Sequence, residues 1–284
     1  MRSRASVWNR FKKNKIAVIV LTFVVCVTLL SVLAPVISPY SYSEMDMTIA
    51  KQAPSATHLL GTDEYGRDIL TRLLYGGQAS MSIALAATGL QVVIGVVLGL
   101  LAGYFRGWVD VLVMRITDMF MCFPFFILAI CFAAVVGPGL GNLIFIIGLL
   151  SWMGICRIVR AEVLSVRERD YILAARALGL SSWQIIVKHI LPNIISPVLV
   201  FATMSVAGNI IAEASMSFLN LGVQLPKPSW GNMLAAAQNM EALLYQWWRW
   251  LPPGFMIIAV VMSMNYIGET LRKAIDPETS GEIK

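Results

Sequence analysis

The chain has 284 residues, of which 58% are hydrophobic and 13% charged, with a formal net charge of +6 and a mean hydropathy of +0.74. That balance excludes an ordinary soluble domain and points to an integral membrane protein. The basic residues lie beside apolar runs and not on an aromatic-interleaved face, so a nucleic-acid partner is not needed to explain them.

A membrane-spanning helix needs about 20 apolar residues, because each backbone polar group must find its partner within the segment. Six stretches qualify, so the expected fold is all-α with six transmembrane helices. Residues 1–15 form a tail holding Arg2, Arg4, Arg10, Lys12, Lys13 and Lys15 and no acid. The first span, Ile16 to Ile37, is uncharged. It is longer than the apolar part of a secretory signal, and Pro35 follows the small-residue pattern Ser31 to Ala34, so a retained anchor is expected. The loop of residues 38–80 contains five acids and three bases. Within it Asp63 and Arg67, four apart, are expected to pair and cap the helix entering the second span. The alternative is that Thr62, Asp63, Arg67 and Asp68 offer a polar surface to an external partner.

Residues 81–272 are expected to form a five-helix core. Its first member, Met81 to Phe105, carries a stripe of Gly95, Gly99 and Gly103 that permits close helix approach, either within the chain or to a partner. The third span, about Ile116 to Val136, is interrupted by Pro124 among Phe123, Phe125 and Phe126, which predicts a kinked span serving as static architecture or as a hinge. The turn Gly137 to Gly139 should make it antiparallel to the fourth span, Leu140 to Ile155.

Residues 157–192 form a basic, water-compatible loop. Asp170 is the expected N-cap of a short helix, Tyr171 to Leu178, and Gly179 its left-handed stop. Ala174, Ala175 and Ala177 keep the helix slim, so that another surface can approach its backbone, while Tyr171 and Leu178 are bulky enough to fill pockets at its ends. Ser181 to Gln184 offers a capping box for a second short helix to His189, with Ile185, Ile186 and Ile190 on its apolar side, and Leu191 and Pro192 turn the chain back into the bilayer.

The fifth span, from near Pro192 to near Phe218, holds the polar stripe Ser205, Asn209, Glu213 and Ser217. Ionisable groups at such depth are costly and usually functional, so the stripe is the expected lining of a conduit; the alternative for Glu213 is a bridge between helices. Trp247, Trp248 and Trp250 are expected as interfacial anchors before the sixth span, about Pro252 to Ile267, and residues 273–284 form a second tail. The excess of lysine and arginine in the first tail and in the loop of 157–192 places both, and the C-terminus, on the cytoplasmic side.

There is no GxxxxGK[ST] phosphate loop. His58 and His189 fall on opposite sides of the membrane, and Cys26, Cys122, Cys131 and Cys156 lack CxxC spacing, so neither a metal nor a disulfide is expected and the cysteines are read as packing residues. The fifteen methionines are read as helix filler. No catalytic set is visible.

AARALG at 174–179, followed by HILP ending at Pro192, resembles the cytoplasmic EAA loop of binding-protein-dependent ABC importers, with Leu173 where that motif has glutamate. HLLGTDEYGRDILTRLLYGG at 58–77 and EASMSFLNLGVQLPKPSWGNML at 213–234 are similar to signatures of the C-type permease subunit of dipeptide, oligopeptide and nickel importers. Met216, Asn220 and Leu225 depart from the usual Leu, Gly and Pro; asparagine tolerates a positive φ at position 220 better than most residues. FKKNKIAVIVL near the start and LRKAIDP at 271–277 extend the resemblance over nearly the whole chain. The resemblance implies a type I ABC importer permease fold in a bacterial inner membrane. It implies as partners a homologous B-type permease, two ATPases holding ATP and Mg, and an extracytoplasmic binding protein. It assigns Tyr171, Ala174, Ala175, Arg176, Ala177, Leu178, Gly179, Leu191 and Pro192 to ATPase coupling. The expected cargo is a peptide, alternatively nickel or a metal chelate. An ion-gradient-driven transporter or channel is the alternative of another class, although no inverted repeat is detectable.

Overall fold

The computed structural model describes residues 4–275. Arg2 and residues 276–284, including the end of the LRKAIDP motif, lie outside the described residues. Helix α1 (Arg4–Lys13) is followed at once by α2 (Lys15–Val32), whose first turn is capped by Asn14 accepting from the Ala17 amide at 3.2 Å. A short α3 (Ala34–Ile37), with Pro35 in its first turn where a missing N–H costs nothing, completes the expected first span.

Helix α4 (Ile69–Phe105) is 37 residues long and begins well before the expected Met81. Its start is set by Asp68, whose carboxylate accepts from the Thr71 amide at 2.7 Å, and its length is about 55 Å. Helices α5 (Gly107–Met121) and α6 (Phe125–Val136) correct the expected third span. They meet at an angle of 89°, so this is a broken span or a re-entrant pair and not a kinked rod. Proline removes one helical donor and its extended ψ of 131° starts a new direction, with residues 122–124 outside both helices.

Helices α7 (Leu140–Leu149) and α8 (Trp152–Arg167) carry the fourth span past the expected end at Ile155. The reason is periodic: Ile155, Val159, Val163 and Val166 continue a buried stripe beyond the point where the sequence turns basic. After α9 (Asp170–Ala177), helix α10 (Ser182–Ile185) runs through a π turn at Ile186–Ile190 into α11 (Leu191–Phe218) without the expected break at Leu191 and Pro192. The π turn accommodates the missing amide of Pro192 inside a continuous rod. Helices α12 (Trp230–Leu234) and α13 (Met240–Tyr245) lead to α14 (Trp247–Ile275), which includes the three tryptophans in its first turn. Five helical segments are long and apolar enough to cross a bilayer, and six if the bent pair counts as one. No β-strand occurs among the described residues.

Helix α4 is the central strut, with α2, α5, α7, α8 and α11 packed along it. The glycine stripe explains its closest contact, with α8. A Cβ at Gly95 would lie 1.9 Å from Ile155 Cγ2, one at Gly99 2.7 Å from the carbonyl oxygen of Cys156, and one at Gly103 2.7 Å from Val163 Cβ. The stripe is therefore a seam within the chain. Of the four cysteines only Cys156 is packed inside; Cys26, Cys122 and Cys131 are exposed, which corrects their reading as packing residues.

Candidate functional site

Helix α9 lies at the C-terminal end of α4. Its inner face is docked: Ile172 is fully buried in a cluster with Tyr104, Val163, Val166, Ile185 and Ile190, and Ala175 on the same face is buried as well. Its outer face is open, with Tyr171, Leu173, Ala174, Ala177 and Gly179 exposed and Leu178 at 81% exposure. Ala175 is thus withdrawn from the free face, a correction to its expected place among the contact residues. Pro192 is exposed and Leu191 half-buried, directly after the π segment.

The expected stop at Gly179 is present, with φ +80° and its amide donating to the Arg176 carbonyl while Leu180 N–H reaches Ala175 O. The expected capping box is present as well: Ser181 Oγ accepts from Gln184 N at 3.3 Å and Gln184 Oε1 accepts from Ser181 N at 2.9 Å. Asp170, however, is the first helical residue and not the cap; Arg169 takes that position without a side-chain bond. An acid in the first turn still favours the helix through its dipole. The guanidinium groups of Arg167 and Arg176 both stand over the Tyr104 ring, at the C-terminal end of α4, at 5.7 and 5.8 Å from its centroid. Arg176 thereby links α9 directly to α4. No sequence pattern flagged Tyr104, since its partners come from α8 and α9.

The polar stripe of α11 turns inward against α4. Glu213 is 0% exposed and accepts from Ser80 Oγ and Ser217 Oγ, both at 2.7 Å. Each hydroxyl in turn accepts a backbone amide, Trp230 N onto Ser80 at 3.1 Å and Val223 N onto Ser217 at 3.2 Å. One carboxylate thus ties α4, α11, α12 and the segment before α12 together. Asn209 Nδ2 donates to Thr88 Oγ1 at 2.8 Å and Gln91 Oε1 at 3.2 Å, and Gln91 Nε2 donates to Ser205 Oγ at 3.1 Å.

The expectation of one continuous open lining is therefore corrected. Glu213 and Ser217 are closed inside the bundle, because a buried carboxylate needs donors and α4 supplies one. Ser205 and Asn209 alone border a groove of ≈ 370 Å³, together with Gln91, Phe125, Phe126 and Ser151. Ser80, Thr88 and Gln91 were missed from sequence, although their spacing on one face of an apolar helix was a usable signal.

The motif at 58–77 is folded into itself. Asp63 accepts from Arg67 Nε at 2.7 Å and from the amides of Tyr65 and Arg67, so the expected pair forms. The cap of α4 is a different residue, Asp68, which also bonds His58 Nδ1 at 3.0 Å. Thr62, Asp63, Arg67 and Asp68 are all buried, which favours architecture over a free polar surface. Nearby, bonds from the Thr48 hydroxyl and amide hold the Asp46 carboxyl below its ordinary pKa. Asn220 has φ +61°, as the substitution at that position suggested.

The family described as "Binding-protein-dependent transport system inner membrane component" matches residues 95–281, and "N-terminal TM domain of oligopeptide transport permease C" matches residues 4–54. The dipeptide transport system permease protein DppC of Alkalihalophilus pseudofirmus is 39% identical over 95% of this chain and 88% of its own length. The oligopeptide transport system permease protein OppC of Bacillus subtilis is 36% identical over 96% of this chain and 90% of its own. A solved structure described as an inward-facing conformation of the MetNI methionine ABC transporter shares the fold, with a TM-score of 0.60 and 19% identity over 72% of this chain and 96% of that one. The chain belongs to the permease components of binding-protein-dependent ABC importers, a multi-pass inner-membrane subunit that is not itself an enzyme.

Proposed function

We propose that this subunit forms half of the translocation pathway of an ATP-driven importer of di- and oligopeptides, and that α9 is the part gripped by a separate ATPase. The observation that carries the reading is the exposed apolar face of α9, with Tyr171, Leu173 and Leu178 uncovered on a helix whose opposite face is locked into the bundle. Apolar side chains held out in this way favour a protein partner. Basic residues near α9 favour a cytoplasmic position for that end, where the ATPases, with their ATP and Mg, would meet it.

In this mechanism closure of an ATPase dimer pushes on Tyr171 and Leu178. Ile172 passes the displacement to Val163 and Val166 of α8, and the Tyr104 contact of Arg176 passes it to α4. The groove beside Ser205 and Asn209 becomes the wall of the conduit, opposed by a homologous B-type permease, and an extracytoplasmic binding protein delivers cargo at the other end of α4. Peptide is favoured over nickel or a metal chelate because the relatives described above are named for peptides.

The test is ATP-dependent uptake of a labelled dipeptide by the complex reconstituted in vesicles, with a cysteine at Leu178 offered a short cross-linker. Uptake and a cross-link to the ATPase are expected. A Leu178 cysteine that captures only lipid, with uptake intact, would overturn the grip.

A further inference from the structure

At the end of α4 remote from α9, the loop of residues 38–68, the first turn of α4, the segment after α11, α12 and the start of α14 border an open cavity of ≈ 560 Å³. Arg67, Arg72 and Arg249 line it with Asp63 and Glu64, and the three arginines are only 2%, 3% and 7% exposed. Asp63 pairs with Arg67 at 2.7 Å and Arg72 at 3.4 Å; Glu64 pairs with Arg249 and stands 3.8 Å from Arg67. Lys51, at the rim, is taken up by Glu241. Among the groups that line the cavity, three guanidinium groups therefore share two carboxylates, and the lining carries one positive charge in excess.

Donors are in surplus too. Neutral oxygens absorb part of it, since Arg72 Nη1 donates to the carbonyls of Tyr42 and Pro226 and Arg249 Nη1 to Gln246 Oε1. Nη1 of Arg67 and Nε of Arg249 remain without an acceptor among the described residues. An uncompensated buried charge is strongly unfavourable until a counter-ion joins it.

We propose that this cavity is a carboxylate-binding site and that the carboxylate is the C-terminal group of a peptide in transit, a choice of ligand that rests on the peptide-importer reading. A carboxylate brings the single negative charge that the cluster lacks, and two in-plane oxygens that suit a guanidinium. The volume exceeds what a lone carboxylate fills and leaves room for a short chain behind it.

The test uses the full chain with its partner subunits in nanodiscs, titrated with trialanine and with trialanine amide, which differ only at the terminal group. The free acid binds at least about tenfold more tightly, and Arg249→Gln removes the difference while Arg249→Lys restores part of it. Acetate competes with trialanine on the unmodified complex and acetamide does not, a readout that stands even if Arg249→Gln fails to fold. Equal binding of acid and amide, with ATP-driven trialanine uptake intact, overturns the site and leaves the peptide importer standing. An acid preference that survives Arg249→Gln in a folded complex places the carboxylate elsewhere and also overturns it. Loss of binding-protein association on Arg249→Gln, with no distinction between acid and amide, assigns the charge to a receptor carboxylate instead. Absence of any peptide uptake removes the functional reading itself.

Discussion

The two ends of α4 invert the usual relation between polarity and exposure. At one end the motif of residues 58–77 is rich in charge, yet Asp63, Arg67, Asp68 and Arg72 are buried. At the other, α9 carries apolar side chains, yet Leu178 is 81% exposed. Buried charges with hydrogen-bonded neighbours complete their interactions within the chain, and only their surplus asks for a ligand. Exposed apolar side chains at the tip of a docked helix have unfinished contacts, and that is where the proposed grip is sought.

The comparison depends on both ends sharing one rigid strut, so the largest effect should come from breaking it. Gly99→Leu drives a side chain into the Cys156 carbonyl and Val159, and is expected to cost at least ~3 kcal/mol and to abolish a monodisperse folded chain on size-exclusion chromatography. A folded Gly99→Leu protein would mean that α4 and α8 separate easily and that the strut is no strut.

Leu178→Asp sharpens the contrast from the other side. It places a charge where an apolar contact is proposed, so uptake should fall by more than about tenfold while thermal unfolding of the isolated chain is unchanged. An equal loss of thermal stability would make the exposed face a structural one.

Smaller effects are expected where one contact of several is removed. Tyr104→Leu deletes an aromatic face worth ~0.5–1 kcal/mol to each guanidinium, and should lower transport per ATP hydrolysed by a few-fold; Tyr104→Phe keeps the face and should behave as the parent. Identical ratios for Leu and Phe would remove Tyr104 from the transmission path. Asp68→Ala strips the cap from α4 and the partner from His58. A loss of ~1 kcal/mol in stability is expected, with little change in ATP-driven uptake rate for the molecules that remain folded.

The amino-acid order by itself determined the solvent, the apolar segments, the stop at Gly179, the capping box at Ser181 and the tolerance of a positive φ at Asn220. These depend on local chemistry or on runs long enough to cross a bilayer, and neither needs knowledge of neighbours. Tertiary structure decided which faces were already taken. Glu213 reads as an isolated acid in an apolar run until Ser80, far away in the chain, reaches it. Ala175 reads like Ala174 until Ile172 fixes which side of α9 is docked. The 89° break at Pro124 and the extension of α4 back to Ile69 were likewise settled by packing and capping, since a proline marks where a helix yields but not by how much, and a start is set by whichever side chain reaches the free amides.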